Sequence, residues 1–200
     1  MVAEPRILIA QEGTHDRPKS RRRRVGSNRK GSVNLKLARA LMKLAPKQLE
    51  CEILRIDDLP VFNQDHDQNP PEPVVRLKAQ IQAADGIVLV TPEYNRSIPA
   101  ALKNALDWAS RPYGQNAWAG KPVGIAGASI GAIGTAAVQQ HLRSVLGYLD
   151  MPTLGQPEVY IHFTDGLIDT EGEVSNAGTR EFLQGFMDRY AAWVERFATA

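Results

Sequence analysis

The sequence predicts an α/β fold, five parallel strands in one sheet with helices on both faces, and three observations carry that expectation. Short apolar segments recur at Arg6–Ala10, Glu50–Ile56, Gly86–Val90, Val123–Ala128 and Glu158–Phe163. The stretches between them place apolar residues at helical spacing, and strands alternating with helical stretches argue for parallel pairing. The chain has 200 residues, 43% hydrophobic and 23% charged. That is the size and usage of one domain with a substantial core, spanning residues 1–200.

The elements follow in order. The first strand, Ile7-Leu8-Ile9-Ala10, is followed by QEGTHDRPKSRRRR, an atypical basic insertion over residues 11–24. A helix then begins after Ser32 and puts Leu37, Leu41 and Leu44 on one face. The second strand carries Cys51 near its start, read as a half-buried structural thiol, and Asn69-Pro70-Pro71-Glu72-Pro73 is a surface loop entering the second helix. The third strand runs through Pro92-Glu93-Tyr94-Asn95 into a helix starting near Ser97 or Pro99, with Leu102, Ala105, Leu106 and Ala109 as its core face. After the fourth strand comes GASIGAIGTAAVQQHLR, and the last helix turns Leu183, Phe186, Met187, Tyr190, Val194 and Phe197 inward.

Charge and composition exclude several classes. The net charge is +2, but eight of the 24 basic residues and none of the 22 acids lie between Arg17 and Lys30. The remainder is acidic, so the fold offers no general basic surface for nucleic acid, and the arginine run has no interleaved aromatic ring for base stacking. One cysteine forbids an intrachain disulfide, and His15, His66, His141 and His162 lack metal-ligand spacing. No apolar run reaches the roughly 18 residues of a membrane span, nor is there a signal-peptide core, so the expected location is the cytoplasm.

Two loops carry chemistry. In VGSNRKGSVN, residues 25–34, Gly26 and Gly31 permit a tight turn while Ser27, Arg29, Ser32 and Asn34 supply donors at the N-terminus of a helix. Free N–H groups and the helix dipole favour a phosphate there. A nucleoside-triphosphate loop would need Lys where Ser32 stands. In Thr91-Pro92-Glu93-Tyr94-Asn95-Arg96, a proline-stiffened turn presents flat and polar groups ahead of another helix's positive end, a platform for an electron-rich planar ligand.

Read together, these loops resemble the NAD(P)H-dependent FMN reductase family, in particular its bacterial quinone and chromate reductases. The resemblance runs from about Val25 to the C-terminus. It implies a flavodoxin-like three-layer sandwich with the ligand crevice at the carboxyl edge between strands one and three. It implies FMN as cofactor and NADPH or NADH as cosubstrate. Ser27, Arg29, Ser32, Val33 and Asn34 would bind the FMN phosphate, and Pro92, Glu93, Tyr94, Asn95 and Arg96 would lie against the ring. Ser129 and Gly131 would approach from the fourth strand. Quinones, chromate, azo compounds and flavins are the acceptors it suggests, reduced by alternate occupation of one site, in a homodimer or homotetramer. Ala137 and Gln140 stand where relatives often carry Arg and Tyr, which favours the dimer.

Other classes remain open at the level of sequence. Gly127-Ala128-Ser129-Ile130-Gly131 fits a hydrolase nucleophile elbow, with Asp150 and His162 in the order a serine esterase needs. A flavin-binding electron carrier without a nicotinamide site, and an adaptor using the arginine run, are the further alternatives.

Overall fold

In a computed structural model, which describes residues 5–11 and 31–197, five strands form a single sheet: β1 Arg6–Gln11, β2 Glu50–Leu54, β3 Gly86–Val90, β4 Val123–Ser129 and β5 Val159–His162. Their order is β2-β1-β3-β4-β5 and every pairing is parallel. The five helices are α1 Val33–Leu44, α2 Glu72–Ala83, α3 Ala100–Ala109, α4 Ala136–Tyr148 and α5 Ala177–Glu195.

The three central strands, β1, β3 and β4, are buried almost throughout, which is why their sequences read as nearly unbroken apolar runs. Ile7, Ile9, Val88 and Val90 pack with α1 and α5 through Leu37, Leu41, Leu183, Phe186 and Met187. Leu8, Ala10, Ile87 and Leu89 pack with α2, α3 and α4 through Leu77, Ile81, Leu102, Leu106 and Leu142. Two strand glycines make room for α5. A Cβ on Gly86 would sit 2.5 Å from the Tyr190 hydroxyl, and one on Gly124 would meet the rings of Tyr190 and Phe186. Tyr190 is fully buried and donates to the Pro122 carbonyl at 3.2 Å, and burial holds its phenol well above the ordinary range.

Three expectations are revised. Gln11, read as the start of the insertion, is the last residue of β1 and pairs with Val90. The remainder of that insertion, residues 12–24, lies outside the described residues. Strand β5 is shorter than Glu158–Phe163 because it is an edge, bonded to β4 alone. Phe197 lies past the end of α5 and is partly exposed, edge-on to Trp193. Among the described residues no helix is long and apolar enough to cross a membrane, and no group of three His, Cys, Asp or Glu side chains is placed to hold a metal.

Cys51 lies half-buried on edge strand β2, and desolvation pushes its thiol up to about 11. Only thiolate reacts, so alkylation at about pH 8 should be slow and its rate should rise through an inflection near 11. An inflection at the ordinary thiol value would show that the β2 edge opens readily.

Candidate functional site

In a doubly wound sheet the ligand crevice opens at the carboxyl edge where the strand order reverses, here between β1 and β3. Three described segments converge on that edge: the N-terminus of α1, the turn after β3, and the loop between β4 and α4. Gly26, Ser27 and Arg29 lie outside the described residues.

Helix α1 starts where it does because Ser32 caps it, its Oγ accepting from Leu35 N at 3.3 Å. The turn before it passes through Gly31 at φ 87, the left-handed region that only glycine enters without cost. No acidic residue stands in the first helical turn, so the positive end of the dipole is not neutralised locally. Val33 occupies the first helical position. Asn34 departs from its expected role as a phosphate donor. It is buried, with Nδ2 donating to the Ala128 carbonyl and Oδ1 accepting from Ala128 N, both at 2.9 Å. Asn34 therefore extends the β4 ladder into α1 and positions the loop. Asn34→Ala leaves two buried backbone groups unpaired at about 1–3 kcal/mol each. We expect it to lower the melting temperature as well as flavin affinity; calorimetry showing an unchanged melt would remove this role.

The turn after β3 is a two-residue hairpin. Tyr94 and Ser97 exchange both backbone hydrogen bonds, 3.2 and 3.0 Å, and the residues between them have positive φ, 50 for Asn95 and 64 for Arg96. This is type I′ geometry, native to Asn or Gly and costly for Arg by about 1–2 kcal/mol. Several contacts hold the strained tip. Thr91 is fully buried and its Oγ1 donates to the Pro92 carbonyl at 2.8 Å. Ser97 Oγ meets His141 Nδ1 at 3.0 Å, tying the turn to α4.

Glu93 makes the strongest tie. Its side chain is only 8% exposed, and Oε2 accepts from Val138 N at 3.1 Å, in the first turn of α4. Oε1 accepts from Arg96 at 3.1 Å. Its carboxylate thus caps a helix 45 residues away, where no cap residue of α4's own supplies a side-chain bond. Glu93 binds the β3 turn to the β4 loop and acts by position. Tyr94 and Arg96 are exposed at the tip.

Ser129 ends β4, and its Oγ accepts from Gly131 N at 3.1 Å. Ile130 and Ile133 project from this loop largely exposed, an apolar lip beside the crevice. Behind it, Thr135 and Gln139 are buried, with Gln139 Nε2 donating to Thr135 Oγ1 and to the Val159 carbonyl. The esterase reading fails here. Ser129 and His162 are register partners on β4 and β5, but Asp150 follows α4 at the other end of the sheet, next to Pro152, which bonds the first residue of β4. Seven strand residues, roughly 20 Å, separate acid from serine. Nor does Ser129 have the positive φ of an elbow.

Sequence reasoning missed Gln11, Thr91, Thr135 and Gln139, all buried polar residues at the crevice or beneath it. The signal existed for Gln11, a carboxamide closing the apolar run Ile7-Leu8-Ile9-Ala10. Its Oε1 is buried and has no hydrogen-bond partner among the described residues.

With this geometry established, similarity to known proteins is informative. The sequence profile described as NADPH-dependent FMN reductase matches residues 25–166. A 2-hydroxy-1,4-benzoquinone reductase of a Burkholderia species is 53% identical over 170 residues, covering 85% of this chain and 93% of that one. A quinone reductase of Escherichia coli K12 is 43% identical over 176 residues, 86% and 93% of the two chains. Among solved structures, the flavoenzyme NAD(P)H:(acceptor) oxidoreductase FerB of Paracoccus denitrificans superposes with a TM-score of 0.85 at 40% identity, covering 96% of this chain and 98% of that one.

Proposed function

Because the chain belongs to the NADPH-dependent FMN reductase family, we propose that it is an FMN-dependent NAD(P)H oxidoreductase acting on quinones, with chromate, azo compounds and free flavins as further acceptors. The observation that supports this reading best is the convergence of an acid-free helix N-terminus and a rigid, exposed Tyr94–Ser97 turn on one edge of the sheet. One end suits an anion and the other a planar ring, and FMN has both.

In this reading Ser27, Arg29, Ser32 and the backbone at Val33 hold the phosphate. Pro92, Tyr94, Asn95 and Arg96 support the ring, and Ser129 and Gly131 flank it. Asn34 and Glu93 fix the loops to β4 and α4. The chemistry supplied by FMN when bound is two-electron transfer from NAD(P)H to the acceptor, so the chain contributes orientation and electrostatics rather than a nucleophile. Helix α3, with no acid in its first turn, favours negative charge near the ring. Exclusion of water falls to Ile130 and Ile133, whose apolar surface also suits a quinone ring. The supply of NAD(P)H places the reaction in the cytoplasm.

Donor and acceptor using one exposed face must alternate, so initial rates at varied NADPH and benzoquinone should give parallel double-reciprocal lines. Intersecting lines would mean both bind together. A pure electron carrier would show no NADPH-dependent turnover.

Arg96, 67% exposed beside Glu93, is the cation we assign to the nicotinamide nucleotide's phosphates. Arg96→Gly relieves the left-handed strain while removing the charge, so it should leave the melting temperature equal or higher and raise KM for NADPH about 3- to 10-fold. An unchanged KM would leave Arg96 as a surface residue.

The reading includes a homodimer. Tyr113 and Tyr148 are both more than four-fifths exposed, and Asn116 bonding the Leu149 carbonyl at 2.8 Å holds their segments together. Trp118, on the same segment as Tyr113, is fully buried and donates to the Leu106 carbonyl, so it takes no part in this surface. Sedimentation should show a dimer at micromolar protein; a monomer there would remove this part.

A further inference from the structure

We propose that Gln11 is a cofactor ligand, its side-chain oxygen accepting a hydrogen bond from a ribityl hydroxyl of the flavin; the assignment rests on the FMN reading above. Gln11 lies ahead of residue 25, where the family profile begins, so that profile assigns it no role.

Three observations lead to it. Gln11 is the last residue of β1 and pairs with Val90, one residue before the turn proposed to carry the ring. Strand alternation puts it on the same sheet face as Ile7 and Ile9, the face covered by α1, whose N-terminus is the proposed phosphate end. It thus stands between the two ends of the ligand. It is 3% exposed, yet its Oε1 has no partner among the described residues, whereas the buried carboxamide of Asn34 is matched to Ala128 through both its oxygen and its nitrogen. Buried acceptors are rarely left unpaired, because the group loses its water without replacement.

The chemistry of the unpaired atom selects the part of the ligand. A carbonyl oxygen needs a donor. Ionised phosphate oxygens are acceptors only, and they would be repelled. The polyol joining phosphate to ring carries hydroxyl donors, and it must cross the end of β1 to link α1 with the Tyr94–Ser97 turn.

The test uses the full chain, stripped of flavin, as wild type, Gln11→Met and Gln11→Leu, each titrated with FMN and with riboflavin and each melted without ligand. Riboflavin has the ribityl chain and lacks the phosphate. Both variants should lose affinity for both flavins by the same factor, about 3- to 10-fold, since one neutral hydrogen bond disappears. Their ligand-free melting temperatures should equal or exceed wild type, because a buried unpaired acceptor has been removed. Unchanged affinities, a loss confined to FMN, or a parallel fall in stability and affinity would each overturn the assignment. Two side chains of different shape separate a lost bond, equal in both, from a packing defect, which would differ. Wild-type protein that binds neither flavin would overturn the FMN reading itself, an outcome distinct from variants that bind like wild type.

Discussion

Glu93→Ala should weaken FMN binding by about 10- to 100-fold and lower the melting temperature by several degrees. Magnitudes decide which of its two contacts matters. The Arg96 guanidinium is 67% exposed, so that ion pair is screened and contributes about 1 kcal/mol at most. The bond from Val138 N is charge-assisted, sits at a helix N-terminus and involves a carboxylate only 8% exposed, conditions under which such a bond contributes about 1.5–3 kcal/mol. Losing it leaves the β3 turn with the Ser97–His141 contact to α4 and without its charged tie, and leaves the strained Asn95–Arg96 pair less constrained. The groups proposed to support the ring then lose their fixed positions. Glu93→Gln keeps an acceptor for Val138 N and should fall between wild type and alanine. Flavin titration with calorimetry on the three proteins checks this; wild-type affinity in Glu93→Ala would show that the turn holds its shape without the tie.

Gly127→Ala should cost about 3 kcal/mol or more, which for a chain of this size is a fall of roughly 6–12 °C in melting temperature. An added Cβ would lie 2.3 Å from Thr135 Oγ1 and 2.4 Å from the Thr91 carbonyl oxygen. Thr135 is fully buried with its Oγ1 bonded to Gln139, and a backbone carbonyl cannot rotate aside. The clash wedges β4 away from Thr91, which leads into the turn proposed to support the ring, so flavin affinity should fall too. Gly185→Ala is the control. That glycine lies inside α5 with open space around it, and alanine there should stabilise by up to about 1 kcal/mol. A small loss at Gly127 similar to that at any surface glycine would contradict the packing described.

The sheet was legible because a strand covered on both faces must be apolar throughout, and such runs stand out between amphipathic helices. Gly86–Val90 matches its expected bounds for this reason. Boundaries fail where the cause is distant. Strand β2 stops at Leu54 instead of Ile56, where Arg55 turns to Asp57 at 2.9 Å. Trp118 is buried, its indole N–H donating to the Leu106 carbonyl on α3. The two chemical loops were visible as residue types in order. What those residues bond was not. Asn34 finds its partner 94 residues away and Glu93 finds Val138 45 residues away, contacts that only the fold creates. Both look like cofactor contacts in a linear reading and act as fasteners in the fold. The esterase pattern was a local match whose acid the topology carries to the wrong end of β4.

The central claim, that this edge of the sheet holds FMN for NAD(P)H oxidation, is tested most directly by the cofactor itself. Protein purified without added flavin and reconstituted with FMN should be yellow and carry close to one FMN per chain, identified by chromatography after denaturation. Anaerobic NADPH should bleach that colour, and a benzoquinone should restore it. Protein that stays colourless after reconstitution, or that binds FMN yet leaves it unbleached by both NADPH and NADH, would contradict the account.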